Sequence, residues 1–150
     1  MALENFVAKN VDFDPDIVVK DGDYRPMMFV AVYGLRAFGS EELKVHGLEN
    51  YQQVPFLMFV NITQVRIYQS GNYHPVMILN PGEIFPVYDP DYQNHEFIFQ
   101  DYLVGLMDAW LSDLSFHWKS EHPPFETQIN EIGLSDMLEN GFLERILEWD

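Results

Sequence analysis

Short apolar runs separated by turn-forming residues constrain this chain more than any other feature of its sequence. Residues 17–19 and 27–32 are two such runs, and the turn between them contains Gly22. Apolar, partly β-branched runs on either side of a glycine-containing turn predict a β-hairpin. Residues 54–60 are a third run, long enough for a strand that is buried on both faces.

A helix and a second hairpin are predicted around this third strand. Ser40 is a capping residue followed by two acids, so residues 40–52 are predicted to form a helix. Residues 65–68 and 73–79 flank a turn that contains Gly71, which predicts a second hairpin. Two β elements, a helix and further β structure indicate an α/β (α+β) fold with a mixed sheet.

The second half of the chain has the hydrophobic pattern of helices. Apolar residues recur at helical spacing between residues 99 and 118, which predicts an amphipathic helix of about five turns. Residues 126–132 and 134–149 predict one or two further helices, broken near Gly133 and Gly141. We therefore predict a single domain over residues 1–150, in which a C-terminal helical section (residues 81–150) packs on the sheet.

The charge of the chain is strongly negative and unevenly distributed. The net charge is −16, and residues 76–150 hold fifteen acids and only two bases. Such a field repels phosphate backbones, so it disfavours direct binding to nucleic acid. The acid excess is interpreted as a solvated surface, or as an acidic face that docks a basic partner or imitates DNA.

Composition also indicates the compartment. The chain has no cysteine, and 47% of its residues are hydrophobic. The lack of disulfides predicts a reducing cytoplasm. The first residues have no basic start and no long apolar run, so we expect no signal peptide. No apolar window is long enough for a membrane span, and none is expected.

Residues 14–68 resemble the PD-(D/E)XK restriction-endonuclease-like family, in particular the N-terminal nuclease domain of type I restriction enzyme R subunits and small bacterial relatives. The resemblance covers about residues 11–80, which would form the nuclease-like core. Asp16 matches the family's metal-binding Asp, and the second strand of the family carries a Glu and a Lys two residues apart. In this chain those two positions hold Ala31 and Tyr33.

The resemblance implies a family fold without the family's standard active site. Carboxylates on adjacent strands would bind Mg²⁺, and the Lys would position the attacking water. Ala31 cannot bind a metal, and Tyr33 supplies no cation. The first hypothesis is therefore a catalytically inactive protein without a cofactor, which acts through a protein partner or as a homo-oligomer, for example a homodimer.

Two alternatives remain open from the sequence. One is a Mg²⁺-dependent nuclease with a migrated active site, in which Asp16 acts with Glu41, Glu42 and Lys44 of the predicted helix at residues 40–52. The other is an acidic inhibitor or DNA mimic, which would occupy a nucleic-acid-binding partner. Tyr51 matches a helix-end Tyr of the restriction-subunit relatives and is interpreted as a packing residue.

Two tryptophans suggest a contact surface. Trp110 and Trp118 lie eight residues apart in the predicted long helix, roughly on one face, which favours a dimer contact there. His117 and His122 straddle the end of the same helix. With no cysteine and only scattered carboxylates in the sequence, a metal site at these two histidines is not expected. His46, His74 and His95 are isolated in the sequence and are interpreted as surface or hydrogen-bonded residues.

Overall fold

A computed structural model describes residues 15–33, 54–72 and 74–146. This part of the chain forms six strands and three α-helices. The strands are β1 (Ile17–Lys20), β2 (Pro26–Val32), β3 (Phe56–Val60), β4 (Val65–Gln69), β5 (Met77–Leu79) and β6 (Phe142–Arg145). The helices are α1 (Gln100–Phe116), α2 (Glu126–Glu131) and α3 (Leu134–Glu139), and short 3₁₀ helices lie between β5 and α1.

The six strands form one mixed sheet in the order β5-β4-β3-β2-β1-β6. Strands β2 and β3 are parallel, and every other neighbouring pair is antiparallel. The two predicted hairpins are therefore confirmed, as is the mixed sheet. A parallel pair needs a crossover connection. Residues 34–53, which connect β2 to β3 and include the predicted helix at 40–52, lie outside the described residues.

Both faces of the sheet are apolar in its centre. All five residues of β3 are buried, as predicted for a strand covered on both sides. The first face includes Ile17, Val30 and Met58 and packs against the helical section in the main core. The opposite face forms a smaller apolar layer of buried side chains: Val18, Phe29, Ala31, Val54, Leu57, Phe59 and Tyr68. Side chains alternate between the faces because successive residues of a strand point to opposite sides.

Helix α1 covers the first face and confirms the long helix predicted from the sequence. It spans 17 residues, and its inner side is fully or almost fully buried. The helix ends at His117, whose backbone is left-handed (φ 51°) and whose N–H bonds the carbonyl of Asp113. A left-handed residue is a common way to terminate a helix, because it turns the chain while satisfying a terminal carbonyl. None of the helices in the described ranges has the length and apolarity that crossing a membrane requires.

The helix predicted over residues 134–149 is wrong in its second half. Helix α3 ends at Glu139, and Phe142–Arg145 forms strand β6 on the open edge of β1. The unpaired N–H and C=O groups of that edge offer hydrogen bonds that local helix propensity does not outweigh. The C-terminal section is therefore not purely helical, and it returns to the sheet that the first half of the chain begins.

Candidate functional site

Asp16 lies just before β1, and two other elements hold its carboxylate. Its Oδ2 accepts a hydrogen bond from the backbone N–H of Val32 at 2.7 Å. Its Oδ1 accepts one from the side-chain amide of Gln100 at 2.8 Å. The carboxylate acts as a hydrogen-bond acceptor for a backbone donor at the end of the β1–β2 ladder. Asp16 thus joins the end of β2 to the first turn of helix α1.

Ala31 and Tyr33 occupy the positions where the resemblance would place a Glu and a Lys, and both face the smaller apolar layer. Ala31 is only 1% exposed and belongs to this layer. The Tyr33 ring packs against it, with its centroid 6.4 Å from that of Phe59. The Phe59 ring meets Tyr68 edge-on at 5.4 Å. Aromatic and aliphatic side chains therefore surround the positions where the resemblance would place a carboxylate and an amine.

The migrated-site alternative depends on residues of the helix predicted over residues 40–52. Glu41, Glu42 and Lys44, as well as Tyr51, lie outside the described residues. Within residues 15–33, 54–72 and 74–146, no three His, Asp or Glu side chains are grouped so that they could hold a metal ion. Asp16 as a metal ligand, and Mg²⁺ as a cofactor of a migrated site, stay predictions.

The two tryptophans of the predicted contact differ in exposure. Trp110 is fully buried, and its indole N–H donates to the carbonyl of Pro124 at 3.0 Å. Trp118 is 55% exposed and donates to the carbonyl of Ala109 at 2.9 Å. Trp110 is a core residue because it faces the sheet side of α1, so only Trp118 offers surface to a partner. Phe116, at the end of the helix, is 64% exposed and adds a second aromatic surface.

A cleft with a volume of about 250 Å³ has His117, the residue between Phe116 and Trp118, in its lining. It opens where the end of α1 meets α2 and α3. Its lining residues are Leu114, His117, Glu126, Thr127, Asn130, Ser135 and Glu139. Two carboxylates, two hydroxyls, one amide and the His117 imidazole line this cleft, and its lining residues include neither Lys nor Arg. Its donor and acceptor set is suited to a cationic ligand group.

One carboxylate of this cleft contacts both His117 and His122, the two histidines that straddle the end of helix α1. His117 Nε2 lies 2.7 Å from Glu126 Oε2, and His122 Nδ1 lies 3.3 Å from Glu126 Oε1. The two histidines contact different oxygens of the carboxylate. Glu126 therefore fixes the turn between α1 and α2 on both sides. The spacing of four residues between His122 and Glu126 was the one sequence signal for this contact.

A buried carboxylate holds the turn that follows α1. Asp113 is fully buried, and it accepts hydrogen bonds from the Tyr88 hydroxyl at 2.6 Å and from the backbone N–H groups of Lys119 and Ser120 at 2.9 and 3.0 Å. Burial opposes the charge, but these donors together lower the pKa of Asp113. Burial and the Asp113 carboxylate raise the pKa of Tyr88. Sequence reasoning missed this network, because Tyr88 is 25 residues from Asp113.

A second carboxylate network stands at the other end of α1. Asp89 accepts a hydrogen bond from the Tyr102 hydroxyl and lies 3.2 Å from His95 Nε2. The Tyr102 hydroxyl and the backbone N–H of Asp91 hold the pKa of Asp89 below its usual value. The His95 ring packs on Tyr102, with the centroids 4.6 Å apart. These contacts fasten the 3₁₀ segment to the helix.

The described architecture is of the α+β class, with a mixed sheet that is covered on one face by helices. Comparisons with protein-family models, curated proteins and solved structures give no match for this chain.

Proposed function

We propose that this protein is a catalytically inactive restriction-endonuclease-like protein that works by binding another protein or itself. The observation that carries the proposal is the surroundings of Ala31 and Tyr33. A carboxylate and an ammonium group in that apolar layer would lose much of their hydration, and ionised groups are costly to bury without partners. The layer is instead filled by side chains that stabilise the sheet.

The contacts of Asp16 support the same proposal. Both of its carboxylate oxygens accept hydrogen bonds from groups of the fold, Val32 N–H and the Gln100 amide. Such contacts give the residue a structural role that needs no metal. This structural role also explains why position 16 holds an acid although Ala31 and Tyr33 could not complete a metal site with it.

The charge distribution favours a protein over a nucleic acid as the partner. Fifteen acids and two bases in residues 76–150 create a negative field around the helical half. Nucleic-acid affinity depends largely on Lys and Arg contacts with phosphates. A basic protein surface, by contrast, would be drawn towards this half of the molecule.

A cleavage assay tests the proposal. Single- and double-stranded DNA and RNA are incubated with Mg²⁺ or Mn²⁺ and the wild-type protein, Asp16→Asn, or the triple variant Glu41→Gln, Glu42→Gln, Lys44→Met. We expect no cleavage by any of them. Divalent-dependent cleavage by the wild type that either variant abolishes would contradict the proposal and establish a migrated active site. Asp16→Asn retains an acceptor oxygen, and circular dichroism verifies that both variants are folded.

The mode of binding is tested separately. Sedimentation velocity over a wide concentration range distinguishes self-association from a stable monomer. A dimer that Trp118→Ser dissociates, with unchanged circular dichroism, would establish self-association through the end of α1. A monomer at all concentrations would direct the search to a different protein.

The acidic excess also favours a second candidate, an acidic inhibitor that imitates DNA. Such a protein would bind the nucleic-acid site of a basic partner and compete with DNA for it. The test is whether the protein displaces a labelled duplex from a DNA-binding protein recovered with it, and whether added salt steeply weakens this effect. Binding to the DNA-binding protein without displacement of the duplex would exclude the DNA-mimic function.

A further inference from the structure

The end of helix α1 exposes two aromatic side chains that flank His117, a lining residue of the cleft. Phe116 is 64% exposed and Trp118 is 55% exposed, on either side of the left-handed residue His117. The Trp118 ring is supported rather than free, since it packs near Tyr88 at a centroid distance of 6.0 Å and its N–H is bonded. An aromatic surface held in place in this way loses little conformational entropy when it binds a partner.

The cleft adjoins this aromatic surface through His117, one of its lining residues. Glu126 and Glu139 supply carboxylates to it, and Thr127, Asn130 and Ser135 add neutral hydrogen-bonding groups. The contacts of Glu126 with its two histidines leave acceptor capacity on its oxygens, because an ionised carboxylate has about four lone-pair sites. The cleft can therefore accept several N–H donors from one ligand group.

The segment that forms the cleft and carries the rings is rich in acids, and of these Glu144 is paired with Lys20 at 2.7 Å. Residues 114–144 contain six acids and one base, Lys119. Arg145, the next base along the chain, lies 2.8 Å from Asp108 and is engaged there. A second copy of the chain would bring the same negative charges together, and nucleic acid would add phosphates to them. Only a basic partner complements this surface.

We propose that this surface, formed by Phe116, Trp118 and the cleft, binds an arginine-rich segment of a protein partner. The proposal rests on the binding function proposed above and names its partner chemistry. Arginine fits better than lysine because its planar guanidinium can bond a carboxylate through two N–H groups and can stack on an aromatic ring. One guanidinium enters the cleft towards Glu126 and Glu139, and neighbouring ones lie over the exposed rings.

The probe for this proposal is a fluorescein-labelled octa-arginine peptide, measured by fluorescence anisotropy at physiological ionic strength. The cleft variant is Glu126→Gln with Glu139→Gln. The matched control is Glu83→Gln with Glu96→Gln, which removes the same charge from two exposed positions away from the cleft. We expect the cleft variant to weaken binding by about tenfold or more, and the control by about twofold or less.

A variant without a charge change tests the aromatic part. Phe116→Ser leaves the net charge at its wild-type value, and we expect it to weaken peptide binding several-fold while the salt dependence is unchanged. An unchanged thermal unfolding midpoint shows that each variant is folded. Equal losses in the cleft and control variants would overturn the proposal, because the binding would then depend on net charge alone.

Two further probes compare the partner chemistry. Binding of an octa-lysine peptide as tight as that of octa-arginine would overturn the preference for arginine. Binding of a duplex oligonucleotide at the same surface would overturn the choice of a protein partner. If the peptide does not bind and the cleavage assay is negative, the proposed arginine-binding surface is refuted, but the proposed function as an inactive binding protein is not. Divalent-dependent cleavage would refute the proposed function itself, whatever the peptide does.

Discussion

At the scale of single residues, Asp113 is a buried carboxylate that joins helix α1 to Tyr88 and to the turn after the helix. Asp113→Ala would leave the Tyr88 hydroxyl and the N–H groups of Lys119 and Ser120 without their acceptor in a buried place. We expect the free energy of unfolding to fall by about 3 kcal/mol, as for a buried carboxylate that accepts several hydrogen bonds. Urea denaturation measures the change. Ser112→Ala, one residue away, should cost less than about 1 kcal/mol, and an equal loss in both variants would contradict this role.

The same residue predicts a pH dependence. The pKa of Asp113 is lowered in the folded protein. As the pH falls, the unfolded chain therefore binds a proton at this carboxylate before the folded protein does. The stabilisation by its charge is therefore complete above the unfolded pKa of about 3.9 and is lost as the pH falls through the lower folded value. In urea titrations, the stability difference between wild type and Asp113→Asn should be constant above about pH 5 and shrink below about pH 4. A difference that grew on acidification would refute the assignment.

At the scale of elements, the turn into β6 leaves no room for a side chain at Gly141. A Cβ added at Gly141 would lie 2.5 Å from the carbonyl oxygen of Lys20 and 3.0 Å from that of Met137. These are backbone atoms, so they cannot move aside as a flexible side chain could. Gly141→Ala should therefore cost about 1–3 kcal/mol in unfolding free energy and loosen β6.

A matched substitution controls for the general effect of replacing glycine. A Cβ at Gly22, in the β1–β2 turn, would meet no atom within 4 Å. Gly22→Ala is thus expected to change the unfolding free energy by less than about 1 kcal/mol. Hydrogen exchange of the β6 amides should quicken in Gly141→Ala and stay as in the wild type in Gly22→Ala. Similar behaviour of the two variants would mean that the close approach at Gly141 is relieved at no cost.

The elements differ in how far the sequence predicts them. The β1–β2 hairpin and helix α1 are local, because a turn signal and a helical period reveal them within one segment. Strand β6 is not local. Its register pairs Ile17 with Arg145, across nearly the whole chain. A segment that reads as part of a helix became a strand because the edge of β1 was open to it.

At the scale of the whole molecule, the sheet separates two environments. One face supports the helical section, where Asp113, Glu126 and the exposed rings lie, and the other carries the apolar layer with Ala31 and Tyr33. The resemblance to a nuclease concerns the second environment, whereas the acidic excess and the cleft belong to the first. The proposed binding function therefore uses a different part of the molecule from the one that would have held an active site.

The sequence by itself determined the fold class, the two hairpins, the long helix and the occurrence of Ala31 and Tyr33 where the resemblance would place a Glu and a Lys, since each of these depends on residue type or on local period. Only the tertiary structure decided that Asp16 is tied to Gln100, that Trp110 is buried, and that His117 and His122 share one carboxylate. These contacts join residues from different elements. They depend on how the helices pack on the sheet, and no pattern within a single segment encodes that packing.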